Sequence, residues 1–195
     1  MSAAARSLVH MHEKQPIDPR SLRQVCGLFA TGVAVITTGV DGRPEGTTVN
    51  SFTSVSLEPP LVLFCLHKHS RLHEVLKESG GFTVNFLSGR QEKLARSFAG
   101  RRPEGFQNVP HHYGSTGLPV LSEGLAYLTC TTVDVHAGGD HDIVVGEVVE
   151  LGVPEHGKEP LIFFDGSLGA LEAEAGRFSR AGRETRTPVP AARAS

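Results

Sequence analysis

The sequence predicts a mainly β fold, a closed antiparallel barrel with a few short helices. Three observations carry this. Short β-branched and aromatic runs recur between Val33 and Phe164, separated by turns rich in Gly, Asp and Pro. Helical patterns are brief and do not alternate with the strands as a doubly wound parallel sheet requires. Two long strand patterns, 125–135 and 143–151, are joined by the glycine-containing turn Ala137 to His141, as antiparallel neighbours in a barrel are.

The elements follow in order. Residues 1–17 are polar and small, without periodicity, and read as a flexible arm. Asp18-Pro19 is an N-cap with proline at the first helical position. Leu22, Val25, Cys26 and Phe29 then mark one helix face, which Gly32 is expected to end. Val33 to Thr38 reads as a strand, and Asp41-Gly42 as a tight hairpin turn. Thr47 to Ser56 returns as an extended but polar segment. Pro59-Pro60 breaks the chain, and Leu61 to Leu66 is an apolar run expected to form a buried strand. Ser70 is positioned to cap a short helix with Leu72, Val75 and Leu76, ended by Gly80-Gly81. Phe82, Val84 and Phe86 alternate with polar residues, which predicts a half-buried strand. Ser88 and Gln91 form a capping box for a helix lined by Leu94, Ala95 and Phe98, with Gly100 as its terminator. Residues 101–124 read as a surface excursion, and Pro160 to Phe164 as a last strand.

With 195 residues the chain is one domain with tails: a domain over 18–175, preceded by the arm and followed by a disordered tail over 176–195. That tail holds five Arg and one Glu and lacks apolar periodicity. Lys and Arg total 19 against 21 Asp and Glu, a net charge of −2, which argues against nucleic-acid binding by bulk charge. No apolar run reaches the roughly 18 residues of a membrane span. The N-terminal stretch has no apolar core, so no secretory signal is expected. Cys26, Cys65 and Cys130 are far apart and set in apolar runs, as reduced, buried thiols of a cytoplasmic protein would be.

The segment from Thr47 to Ser56 stands out, because seven of its ten residues have polar side chains. It lies between two apolar strand patterns and is therefore expected to run through the core, where hydroxyls and amides need partners. Two readings follow: a polar edge strand bonded to nearby backbone, or a nearly uncharged cradle for a polar, planar ligand. The sequence has no dinucleotide-binding or phosphate-loop glycine motif and no nucleophile elbow. His67 to His69 and His111-His112 are poor metal ligands, since adjacent histidines rarely face one ion and ligating carboxylates are missing at suitable spacing.

Five blocks in one order carry a resemblance. They are Phe29-Ala30-Thr31-Gly32-Val33 through Thr38; Gly46-Thr47-Thr48-Val49-Asn50-Ser51-Phe52-Thr53-Ser54 through Leu63; Phe82-Thr83-Val84-Asn85-Phe86-Leu87 with Gln91 and Ser97 to Gly100; Gly139-Asp140-His141-Asp142 through Val148; and Pro160 to Phe164. Over about residues 20–170 the chain resembles the short-chain flavin reductase family, the reductase components of two-component flavin-dependent monooxygenases. It departs from many relatives at Phe164, where they have tyrosine.

The resemblance implies a split β-barrel homodimer with a flavin at the subunit interface. FAD or FMN would be reduced by NADH in preference to NADPH, and the free reduced flavin would pass to a separate monooxygenase. Such reductases often serve secondary metabolism, including antibiotic biosynthesis. It further implies that Thr48, Val49, Asn50, Ser51, Ser54, Val55 and Ser56 hold the flavin ring and ribityl chain, and that Asn85 belongs to the same site. Lys68, Ser70, Arg71, Phe98 and Arg101 become candidates for the flavin phosphate region. His141 is the expected catalytic residue, brought to the nicotinamide side of the flavin, with Asp140 orienting it. The alternatives within this resemblance are a tight-FMN oxidase, for which the cationic cluster is lacking, and a non-enzymatic flavin-binding module.

Overall fold

The structure, a computed structural model, describes residues 16–99, 106–153 and 159–170. The tail over 176–195, all but the last two residues of the expected arm, Gly100, Arg101 and Arg102 lie outside the described residues.

Helix α1 (Pro19–Gly27) starts as predicted: Asp18 Oδ2 accepts from the Ser21 N–H at 2.9 Å, which satisfies a first-turn donor. It ends earlier than predicted, at Gly27, because Thr31–Gly32 is drawn into a short strand, β1. The predicted apolar face is left largely exposed by the described residues. Leu22, Val25 and Phe29 are 53%, 68% and 76% exposed, and Cys26 is exposed too, which corrects the expectation that all three cysteines are buried. Cys65 is half-buried; Cys130 is buried, and burial pushes its thiol up to about 12.

Strands β2 (Ala34–Val40) and β3 (Arg43–Val49) form the predicted hairpin, with Asp41 and Gly42 both at positive φ. Strand β4 (Thr53–Leu57) turns into β5 (Pro60–His67), and helix α2 (Leu72–Ser79) follows. Leu72 and Leu76 are its buried residues, and Gly80, at φ 68°, closes it in the left-handed conformation. Strand β6 (Gly81–Phe86) leads through the capping box to a single 3₁₀ turn (Gly89–Gln91) and helix α3 (Glu92–Phe98). Strands β7 (His111–Tyr113), β8 (Pro119–Leu121), β9 (Ala126–Gly138), β10 (His141–Gly152), β11 (Leu161–Phe164) and β12 (Ser167–Ala170) complete the described chain.

Seven strands share one antiparallel sheet in the order β3-β2-β6-β9-β10-β5-β4. The hydrogen-bonded ladder is open, not closed as predicted. Its two edges, β3 and β4, are consecutive in the chain and joined by residues 50–52 alone. This also corrects the expectation that Thr47 to Ser56 crosses the core. The segment supplies the two edges, where polar side chains need no buried partners.

Strand β6 sits between two apolar clusters. One holds Ile36, Val62, Phe64, Leu66, Phe82 and Val84; the other holds Val35, Leu87, Ala95, Phe98, Leu121 and Leu161. The half-buried reading of β6 is therefore wrong, because Thr83 and Asn85 on its polar face are buried as well. Part of the expected surface excursion is also core, since β8 is buried throughout. None of the described helices is long and apolar enough to cross a membrane.

Candidate functional site

A cavity of about 780 Å³ opens beside the end of β5 and the edge strand β3. Residues Glu45 to Ser51 form one wall, Cys65 to His67 another, and His69 to Leu72 with His141 complete it. Thus Thr48, Val49, Asn50, Ser51, Ser70, Arg71 and His141, nominated from the sequence, come together from three separate stretches. Gly46 keeps the first wall thin, for a Cβ there would lie 2.9 Å from the Phe98 ring behind it. Phe98 therefore backs the wall and does not line it.

Two hydroxyls of the cradle are committed to the fold. Thr48 Oγ1 donates to the Ala95 carbonyl at 2.7 Å, which ties β3 to α3. Ser51 Oγ accepts from the Cys65 N–H at 2.9 Å and donates to the Cys65 carbonyl at 3.3 Å, so it stands in for a strand partner at the end of β5. The Asn50 side chain has no hydrogen-bond partner among the described residues and is exposed at the cavity rim.

His141 begins β10, and Asp140 with Gly139 forms the turn before it; Gly139 has φ 73°. The Lys68 N–H donates to the Asp140 carbonyl at 3.0 Å, so the chain leaving β5 clasps this turn. Asp140 Oδ1 lies 2.8 Å from His141 Nδ1. A carboxylate can only accept here, so Nδ1 bears the hydrogen and Nε2 is the free ring nitrogen. The hydrogen bond from His141 is the main force holding the Asp140 carboxyl below its usual value, and a positive charge on His141 or His67, carried only when the ring is protonated, adds to it. Because that value is lowered, the interaction is intact above the ordinary carboxylate range of about pH 4 and is lost as pH falls through the lowered value.

Other nominated residues lie elsewhere. Ser54, Val55 and Ser56 are on β4, outside the cavity, and Ser56 Oγ accepts from the Glu58 N–H at 3.2 Å. Lys68 lines a separate cavity with His73 and Asp142. Asn85 is in the core: Nδ2 donates to the Val35 carbonyl and to Thr37 Oγ1, both at 3.0 Å, and Oδ1 accepts from the Leu121 N–H at 2.8 Å. Sequence reasoning missed His67 and His69 as members of the site. The alternation of β5 carried a signal, since Cys65 and His67 fall opposite the buried Val62, Phe64 and Leu66.

The cavity thus offers a broad, mostly neutral wall, one guanidinium and three imidazoles, within the roughly 300–1,000 Å³ usual for small-molecule sites. That donor set suits a planar, polar ring system better than a metal ion. Family comparison agrees, for the profile described as a flavin reductase like domain matches residues 26–172. The chain belongs to the flavin reductase-like family. It is similar to the flavin-dependent monooxygenase reductase subunit HsaB of Mycobacterium tuberculosis (strain CDC 1551 / Oshkosh), 42% identical over 159 residues that span 81% of this chain and 85% of the relative. It is similar to the FMN reductase (NADH) SmoA of Agrobacterium fabrum (strain C58 / ATCC 33970), 39% identical over 163 residues, 84% of this chain and 88% of that one. Among solved structures it resembles the Streptomyces globisporus C-1027 NADH:FAD oxidoreductase SgcE6 in complex with NAD and FAD fragments. There the TM-score is 0.75 at 38% identity, covering 83% of this chain and 99% of that one.

Proposed function

We propose that this protein is an NADH-dependent flavin reductase that reduces FAD or FMN and supplies the free reduced flavin to a partner monooxygenase in the cytoplasm. The observation that carries the reading is the joining of the Gly46–Ser51 wall and His141 in one cavity, although they are about 90 residues apart in the sequence. The flavin-reductase relatives support an enzymatic role over a passive binding module.

The flavin supplies the redox chemistry, taking a hydride from the nicotinamide. The protein's part is positional, because hydride transfer asks for two stacked rings about 3–3.5 Å apart and no strong base. The Thr47–Ser51 wall receives the ring system, with main-chain groups doing most of the bonding because Thr48 and Ser51 spend their hydroxyls on the fold. Arg71 and Ser70, at the entrance to α2, are placed for the phosphate-bearing end. His141, anchored by Asp140 through Nδ1, lines the cavity and orients the nicotinamide carboxamide. The test is direct: purified protein should oxidise NADH slowly until micromolar FAD or FMN is added. No flavin stimulation would overturn the reading.

The open sheet is read as a split barrel completed by a second copy of the chain. The support is apolar surface left bare by the single chain: the outer face of α1, with Val133 and Val135 on β9 and Val149 and Leu151 on β10. Light scattering at micromolar protein should return twice the mass of the chain. A single-chain mass would remove the homodimer from the proposal.

A further inference from the structure

We infer that His67 is a positioning residue for hydride transfer, acting through His141; the inference rests on the role of His141 proposed above. His67 is the last residue of β5 and His141 the first of β10, and the antiparallel register sets them directly opposite each other. Their rings meet edge to face, with centroids 5.0 Å apart and planes at 82°. This is the favoured geometry for an aromatic pair.

His67 is itself fixed. Its Nδ1 lies 3.1 Å from the His69 N–H, a donor, so Nδ1 must keep its lone pair and the neutral ring carries its hydrogen on Nε2. The same turn is clasped to the Asp140 carbonyl through the Lys68 N–H at 3.0 Å. His141 is therefore held on two sides, by the Asp140 carboxylate at Nδ1 and by the His67 ring. Rotation of the His141 ring out of its place in the cavity wall is opposed by both. A hydrogen bond to Asp140 alone leaves the imidazole free to pivot about that contact, particularly as the Asp140 side chain is 81% exposed. The His67 contact removes that freedom.

The experiment has two arms. In the flavin-free protein, long-range proton–nitrogen NMR spectra should show His67 as the Nε2–H tautomer and His141 as the Nδ1–H tautomer. His67→Ala should shift and broaden the His141 ring signals, whereas His67→Phe, which keeps an edge-to-face ring, should leave them sharp. In stopped-flow reduction of pre-bound flavin by NADH, His67→Ala should slow the step about 2- to 10-fold at saturating flavin, a larger factor than any rise in the flavin Kd, and His67→Phe should restore most of the rate. In a His141→Ala background, His67→Ala should have no further effect. Unchanged His141 signals in His67→Ala, an equal loss in His67→Phe, or additive effects in the double variant would each overturn the inference. Failure of the wild-type protein to reduce flavin would instead overturn the functional reading and leave the NMR arm standing.

Discussion

His141→Ala is expected to slow the reduction of pre-bound flavin by NADH roughly 5- to 150-fold, the loss of one positioning contact worth about 1–3 kcal/mol in the transition state. Flavin affinity should fall far less, because His141 contributes a single side chain to a wall built mainly from Thr47 to Ser51. Asn50→Ala should show the reverse balance, with the flavin Kd rising first. Asn50 stands exposed on the connector between β3 and β4, and its side chain has no hydrogen-bond partner among the described residues, so truncation should leave the fold undisturbed. Stopped-flow reduction and flavin titration of the two variants separate these outcomes. A His141→Ala protein that reduces bound flavin at the wild-type rate across the NADH range would leave His141 as a turn residue paired with Asp140 and nothing more.

Asn85→Ala should be the most destabilising single truncation at a polar position, by about 3–5 kcal/mol. The loss removes three buried hydrogen bonds at once, those to the Leu121 N–H, the Val35 carbonyl and the Thr37 hydroxyl; the Leu121 N–H loses its acceptor, while Thr37 keeps its bond to the Pro119 carbonyl and Val35 its place in the β2 ladder. These are buried groups, so water cannot substitute without opening the region between β6, β2 and β8. Thermal unfolding should shift down by roughly 6–20 °C in a domain of this size. Below that shifted midpoint the variant should still bind flavin near the wild-type affinity, because Asn85 lies outside the cavity. A variant of normal stability that had lost flavin affinity would return Asn85 to the cofactor site, as the family resemblance implied.

These two residues mark where sequence reasoning reaches and where it stops. Local chemistry was readable. Asp18-Pro19, the Asp41-Gly42 turn and the Ser88–Gln91 box all do what their side chains dictate, since each acts within four residues of itself. The wall from Gly46 to Ser51 and the turn at His141 were readable through resemblance. Asn85 was not, because its three partners lie 48, 50 and 36 residues away and only folding brings them into reach. His67 failed for the same reason: its meaning comes from standing across from His141 in the sheet. Strand β12 was missed despite a visible signal. Asp165-Gly166 is a hairpin turn of the same kind as Asp41-Gly42, but Ser167 to Ala170 has only Leu168 to mark a strand. The apolar face of α1 was legible, yet its periodicity could not say that the described residues would leave it exposed.

The open seam of the seven-stranded sheet has a mechanical consequence. Strand β3 ends one side of the ladder and β4 the other, and the cavity occupies the gap between β3 and the neighbouring end of β5. In this region the Ser51 hydroxyl, bonded to both main-chain groups of Cys65, is the only described hydrogen-bonded rung across the gap. A flat ligand seated there acts as further rungs and braces two margins that the chain leaves unzipped. Loading the site should thus stiffen the sheet from its margins inward, seen as slowed amide hydrogen exchange in β3 and at the end of β5. Release of the ligand should loosen those margins and leave the packed centre around Phe64 and Phe82 undisturbed.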